Sequence, residues 1–278
     1  MINGIFDKPK IKRAIEQLSE VLGLAPDDIG YASGSLFDGL GDEDSDFDIY
    51  VLTTADSLKR RAADFDSERK NDQHNYKFGI QYVDVEGVSF DVEFHDKENL
   101  LKLFDSLEHL KPISRQSLHE NYRSLGDVPR DKAVEILHRF RIGKPFFNES
   151  DFSSMKTCFD EKAFFSWNAL FHLMESEDFV KGTTRSLKAN DPESAYLKLC
   201  YFLNSLADAQ IFLGKASCDR WKWRLPKLRT MNVPEFLAFY LSVQIPQSGS
   251  TDNLKAFVEK KLLQGVSIAR DMKGELNE

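Results

Sequence analysis

The chain has 278 residues, 41% of them hydrophobic, and a net charge of −8, which is enough apolar material for one large core or two modest ones. The acidic balance argues against a protein whose main task is gripping a nucleic-acid backbone, because that affinity comes from many Lys and Arg contacts. No apolar run approaches membrane-spanning length, the start Met1-Ile2-Asn3-Gly4 lacks a basic leader, and the three cysteines, Cys158, Cys200 and Cys218, show no Cys-x-x-Cys spacing, so free thiols in a cytoplasmic protein are expected.

Asp7 and Pro9 mark a helix entry, with Ile11, Ile15, Leu18 and Leu22 on one face until Gly23. Strands are expected over 29–33, 47–53, 78–85 and 88–95, with a polar helix over 55–69 between the second and third. Glu86-Gly87 separates the last two strands as a two-residue hairpin turn. After His95 the β pattern stops. Helices are expected over 97–109 and 130–142, with breaks at Lys111-Pro112 and at 126–129. Further helices are expected over 152–175, 192–213, 234–243 and 253–273, where apolar residues recur at helical spacing. The fold class is therefore α+β: a small mixed β-sheet domain with flanking helices over 1–112, then an all-helical domain over 113–278.

The chemistry concentrates between positions 34 and 51. Side chains on a strand alternate between faces, so Asp46 and Asp48 project together while Phe47, Ile49 and Val51 project on the other side. Two such carboxylates repel unless a cation supplies charge and takes oxygen ligands from both. Magnesium suits the pattern, since it keeps several waters and takes one or two carboxylates together with substrate phosphate oxygens. Upstream, Gly34 removes a side chain where the backbone turns after Tyr31-Ala32-Ser33, and Ser35 offers a hydroxyl and an N–H to an anion. In the hairpin's second strand, Ser89, Asp91, Glu93 and His95 share one face, and Asp91 is the candidate third carboxylate with Glu93 as the alternative. Lys215, Arg220, Lys222, Arg224, Lys227 and Arg229 form a dense positive run in an acidic chain. Such runs are ordinarily solvated helix surface, but a triphosphate needs cations on its far side, which nominates Lys215 and Lys222 for phosphate contact with Arg224 behind them. Trp221 and Trp223 read as core or interface residues.

Gly34-Ser35, a spacer containing Gly39-Leu40, then Ser45-Asp46-Phe47-Asp48 and an apolar strand resembles the nucleotidyltransferase superfamily with the DNA polymerase beta-like fold, and most of all its bacterial aminoglycoside nucleotidyltransferases. The segment 90–96 is similar to that family's third-carboxylate strand, and 213–226, with Gly214-Lys215 and Trp221, is similar to a segment of its helical domain that reaches the nucleotide phosphates. The resemblance implies that Asp46, Asp48 and Asp91 are the catalytic and metal residues, holding two magnesium ions, and that Gly34, Ser35, Ser45, Lys215, Lys222 and Arg224 contact the nucleotide. It implies transfer of a nucleoside monophosphate, AMP from ATP by default, to a hydroxyl of a small-molecule acceptor such as an aminoglycoside, with release of pyrophosphate.

Three other readings stand beside it: transfer to a protein or RNA acceptor, synthesis of a nucleotide second messenger, and a non-catalytic nucleotide-binding module. The acceptor, the base and the oligomeric state are not specified by the sequence. Calcium binding of the EF-hand type fails because Phe47 sits where a Gly is needed and Thr53 where a Glu is needed. The stretch 30–34 lacks the Gly-x-Ser-x-Gly of a serine hydrolase, and no His or Cys grouping has zinc spacing. Asp42, Glu43 and Asp44 read as an exposed loop, suited at most to a polycationic acceptor. His138 and His172 read as ordinary helix positions.

Overall fold

The computed structural model describes residues 9–41, 45–65, 78–111, 113–121, 123–245 and 253–276. Its main elements in chain order are α1 (Pro9–Val21), β1 (Ile29–Ser33), β2 (Phe47–Thr53), α2 (Ala55–Arg61), β3 (Phe78–Val85), β4 (Val88–Asp96), α3 (Lys97–His109), α4 (Arg115–Glu120), β5 (Ser124–Leu125), β6 (Val128–Pro129), α5 (Arg130–Ile142), β7 (Lys144–Phe147), α6 (Glu149–Thr157), α7 (Glu161–Lys188), α8 (Pro192–Leu213), α9 (Arg224–Thr230), α10 (Pro234–Gln244) and α11 (Leu254–Leu276). They fall into two compact units: Met1–His109 with Arg123–Glu161, and Leu110–Tyr122 with Lys162–Glu278.

The first unit is built on a five-stranded mixed sheet in the order β3-β4-β2-β1-β7. β2 and β4 run parallel, and the other pairs are antiparallel. One face carries Ala32, Ile49, Val51, Phe90, Val92 and Phe94, and packs on Ile11, Ala14, Ile15 and Leu18 of α1 and on Leu58 of α2. That is the burial expected from the alternation of the strands and the spacing of α1. The hairpin turns at Glu86 and Gly87, both at positive φ, 55° and 70°, as a two-residue turn matching the strand twist requires. On the opposite face lies an aromatic cluster in which Phe140 of α5 meets Tyr31 (5.9 Å), Phe104 (5.3 Å) and Phe152 (5.0 Å) between ring centroids.

The second unit is helical, and α8 supplies much of its core through Leu199, Phe202, Leu203, Leu206 and Phe212, with Val258, Leu262 and Met272 of α11 in the same cluster. α8 opens with Asp191 accepting from the Ser194 N–H at 3.0 Å and with Pro192 in its first turn, the N-terminal chemistry its sequence carries.

Three expectations are corrected. A fifth main-sheet strand, β7, follows α5 and pairs with β1; four residues containing Pro145 give no alternation to read, and a proline on an edge strand is tolerated because its missing N–H faces away from the ladder. The span 152–175 is not one helix, because α6 ends at Thr157 and α7 begins at Glu161. The helix expected over 55–69 ends at Arg61, with turns to 65, and its last expected positions lie outside the described residues, as do Asp7, Pro112 and the acidic loop Asp42-Glu43-Asp44.

Candidate active site

The row of the sheet that matters is Ser33, Asp48, Asp91 and Tyr82. Ser33 ends β1 opposite Asp48, Asp48 is the register partner of Asp91 across the parallel β2 and β4, and Asp91 pairs with Tyr82 of β3. Register partners in a sheet project to the same face, with adjacent strands about 4.8 Å apart. The structure thus brings Asp48 and Asp91 together on neighbouring strands. Asp46 stands exposed, two residues ahead in the chain and just before β2 begins, and Ser45 precedes it half-buried.

Gly34 follows directly from this row. It adopts a φ of +98°, and a Cβ built there would lie 1.9 Å from Asp48 Oδ2. Any side chain at 34 would occupy the space of the Asp48 carboxylate, so the glycine is required twice, by backbone conformation and by close approach. The turn then winds tightly: the Phe37 and Asp38 N–H groups donate to the Gly34 carbonyl at 3.0 and 3.1 Å, and those of Leu40 and Gly41 to the Ser35 carbonyl at 2.9 and 2.8 Å. Ser35 is half-buried at the head of this turn.

Helix α5 lies over the same face with a row of basic side chains. Arg139 Nη1 is 3.6 Å from Asp48 Oδ2, and its own carbonyl accepts a buried 2.7 Å hydrogen bond from Ser33 Oγ. His138, 1% exposed, has Nε2 at 3.5 Å from Asp38 of the turn. Lys132 Nζ is 3.6 Å from Glu93 Oε2. His138, read from sequence as an ordinary helix position, and Arg139 and Lys132, not singled out there, are therefore part of the site's frame. The available signal was the placing of His138 and Arg139 between the apolar Leu137 and Phe140, since polar side chains inside a buried stretch require buried partners.

Glu93, two residues beyond Asp91 on the same strand, has partners of its own. Glu93 is engaged with His95 Nε2 at 3.2 Å and with Lys132. Burial works to raise its pKa, but the His95 hydrogen bond and the charges of Lys132, His95 and Arg139 outweigh it and bring the carboxyl down to about 2. Tyr31 and Tyr50, stacked at 5.3 Å, flank it; burial, with Glu93 adding, pushes both phenols well above their ordinary value. Glu93 is thus held as a carboxylate by its own cations, one row deeper than the Asp48–Asp91 pair.

The donor set at that pair is all hard oxygen. Two register-matched carboxylates beside an open glycine turn fit a cation that keeps several waters and takes one or two carboxylates. Among the described residues no group of three His, Cys, Asp or Glu side chains is gathered closely enough to hold a metal.

In the helical unit, Lys215 is exposed at a φ of +57° beyond the end of α8. Lys222 is exposed, its Nζ 4.7 Å from the Trp223 ring centroid. Arg224 presents Nε and Nη2 to the two carboxylate oxygens of Asp208, each at 2.7 Å, and although burial opposes the charge, the paired carboxylate raises its pKa. Its fork is filled by Asp208. Trp221, in the turn Trp221–Trp223, is 80% exposed, so of the two expectations for it, core or interface, the core one is corrected.

No family model matches the sequence, and no curated protein is significantly similar to it. Among the described residues, no helix is long and apolar enough to cross a membrane. The fold is similar to that of a nucleotidyltransferase-like protein from Exiguobacterium sibiricum 255-15 known from its crystal structure, with a TM-score of 0.52 and 10% sequence identity, covering 94% of this chain and 75% of that one. At that identity the likeness is one of fold, and the α+β architecture with a mixed sheet and a helical C-terminal region is the one this chain adopts.

Proposed function

We propose that the protein is a nucleotidyltransferase that moves a nucleoside monophosphate, AMP from ATP in the first instance, from a triphosphate to a hydroxyl of a small-molecule acceptor. The observation that carries this reading is the pairing of Asp48 with Asp91 on adjacent parallel strands, beside a Gly34-Ser35 turn whose missing side chain leaves room for that carboxylate. The fold shared with a nucleotidyltransferase-like protein supports it.

In this mechanism Asp48 and Asp91 would hold magnesium, with Asp46 at the mouth of the strand as the further ligand. Magnesium bound there offsets the repulsion of the carboxylates and polarises phosphate and hydroxyl oxygens. The chain's own groups do the rest. Gly34, having no side chain, lets the Asp48 carboxylate close on the turn, and Ser35 and Ser45 offer hydroxyl donors to the phosphate oxygens. The acceptor oxygen attacks the α-phosphorus, its proton passes to Asp91, and the bond from that phosphorus to the bridging oxygen breaks, releasing pyrophosphate. By the resemblance, Lys215 and Lys222, exposed in the helical unit, are proposed for phosphate contact, with Arg224, which is held by Asp208, behind them.

Transfer to RNA is the second reading, favoured by the exposed Trp221 between Arg220 and Lys222, since an aromatic ring flanked by cations suits a stacked base and its phosphate. Incubation with α-labelled ATP, magnesium and fractionated cell extract separates the two. Label in the small-molecule fraction is the expected result; label in RNA would replace the acceptor class, and no transferred label in any fraction would end the enzymatic reading.

A further inference from the structure

We infer that Arg139 is the built-in counter-cation of the Asp48–Asp91 pair, a positioning residue that orients Asp48 and sets how tightly the pair holds a divalent cation. The inference rests on the metal-binding reading of those carboxylates and extends it to a residue on α5, distant in the chain.

The geometry is a clamp. The guanidinium is 3% exposed and lies 3.6 Å from Asp48 Oδ2. An Arg side chain does not lose its charge in a protein, so at this burial it must face a carboxylate. Its backbone carbonyl takes the Ser33 Oγ hydrogen bond at 2.7 Å, and Ser33 is the register partner of Asp48. One residue therefore grips two adjacent strands, β1 through its backbone and β2 through its side chain. The bare Gly34 backbone meets the same Oδ2 so closely that a Cβ would sit 1.9 Å away. Glycine and guanidinium thus converge on one oxygen of the Asp48 carboxylate.

Charge counting gives the consequence. Arg139 brings one positive charge against Asp48 and also acts on Glu93, so its removal leaves this face of the sheet one charge more negative. A divalent cation arriving at the pair is repelled by Arg139 even as Arg139 fixes the ligand that receives it. Arg139→Met removes charge and fork at similar length, whereas Arg139→Lys keeps the charge and loses the fork.

The test is Mn2+ binding to the full-length chain, followed by the loss of the free-ion electron paramagnetic resonance signal. Arg139→Met is expected to bind Mn2+ about tenfold tighter than the parent, the order expected when one nearby repelling charge is removed, and Arg139→Lys within about twofold of the parent. Asp48→Asn is expected to lose the site. If Asp48→Asn loses it while Arg139→Met binds as the parent does, the inference is overturned and the metal reading stands. A parent chain that binds no Mn2+ overturns both. If the expected shifts appear but no acceptor is ever labelled, only the transfer reading falls. Should Arg139→Met fail to fold by circular dichroism, the double variant Asp48→Asn/Arg139→Met, with both charges gone, is expected to recover the folded spectrum; a double variant as unfolded as the single one would overturn the coupling.

Discussion

Gly34 and Asp48 are tied together more tightly than their separation in the chain suggests. Gly34→Ala is expected to destabilise the protein by about 1–3 kcal/mol, the order of a non-glycine residue held in a sparsely populated backbone region, and to displace the Asp48 carboxylate as well. Urea unfolding of the variant measures the first effect; a variant as stable as the parent would mean that the turn relaxes freely. The Gly-Ser turn and the alternating aspartates were legible in the sequence because both are local signals, a φ requirement and a period of two. Arg139 was not, because its meaning depends on Ser33, 106 positions away along the chain. Asp91 and Glu93 could not be told apart by spacing, since both sit on the same face of β4; the contact of Glu93 with Lys132 is supplied by α5. Trp221 is not a core residue, and the sequence could not show this because an aromatic residue next to basic ones has the same pattern whether it is packed or exposed.

At the scale of elements, α5 is the piece that turns a sheet into a site. Its helical span was predictable to the residue, but which sheet face it covers was not. Phe140, 0% exposed, is its central packing residue, and Phe140→Ala is expected to cost about 3–5 kcal/mol and, with the helix loosened, to lower any activity; thermal unfolding checks the first and a transfer assay the second. In the other unit, Glu177 of α7 receives hydrogen bonds from Arg115 of α4 and Lys273 of α11. Burial opposes its ionised form, but these two cations outweigh it and hold the carboxyl below its ordinary 4.5. A depressed pKa means stability that is present above pH 4.5 and lost as the pH falls through the lower folded value. Glu177→Gln is therefore expected to be less stable than the parent at neutral pH, by roughly 1 kcal/mol or less for so solvated a group, with the two curves converging in acid. Denaturant melts from pH 7 downward test this, and a gap that widened in acid would contradict the assignment. The strand β7 was invisible to pattern reading because it is short, carries a proline and has no period.

For the whole molecule, the order of elements along the chain is not the order of the units. Residues 123–161 return to the sheet after 110–122 have joined the helical unit, so a cut at 112, where composition alone suggests a boundary, would strip α5 and β7 from the sheet. A fragment of residues 1–112 is expected to lack a cooperative thermal transition, with the aromatic side chains of Tyr31 and Tyr50 left open to water; a fragment that melts sharply would show that the sheet needs neither. The fold class was readable because strands with period two, then helices with period 3.6, are summed over many residues. The interleaving was not, since it follows from which surfaces meet. The account as a whole stands on Asp48 and Asp91 acting as one pair. Its most direct test is magnesium-dependent pyrophosphate release from ATP, in the acceptor-bearing fraction, by the parent, Asp48→Asn, Asp91→Asn and Glu93→Gln at matched folded content. The account predicts that the two Asn variants lose about a hundredfold or more while Glu93→Gln retains turnover; full release by either Asn variant, or loss confined to Glu93→Gln, would contradict it.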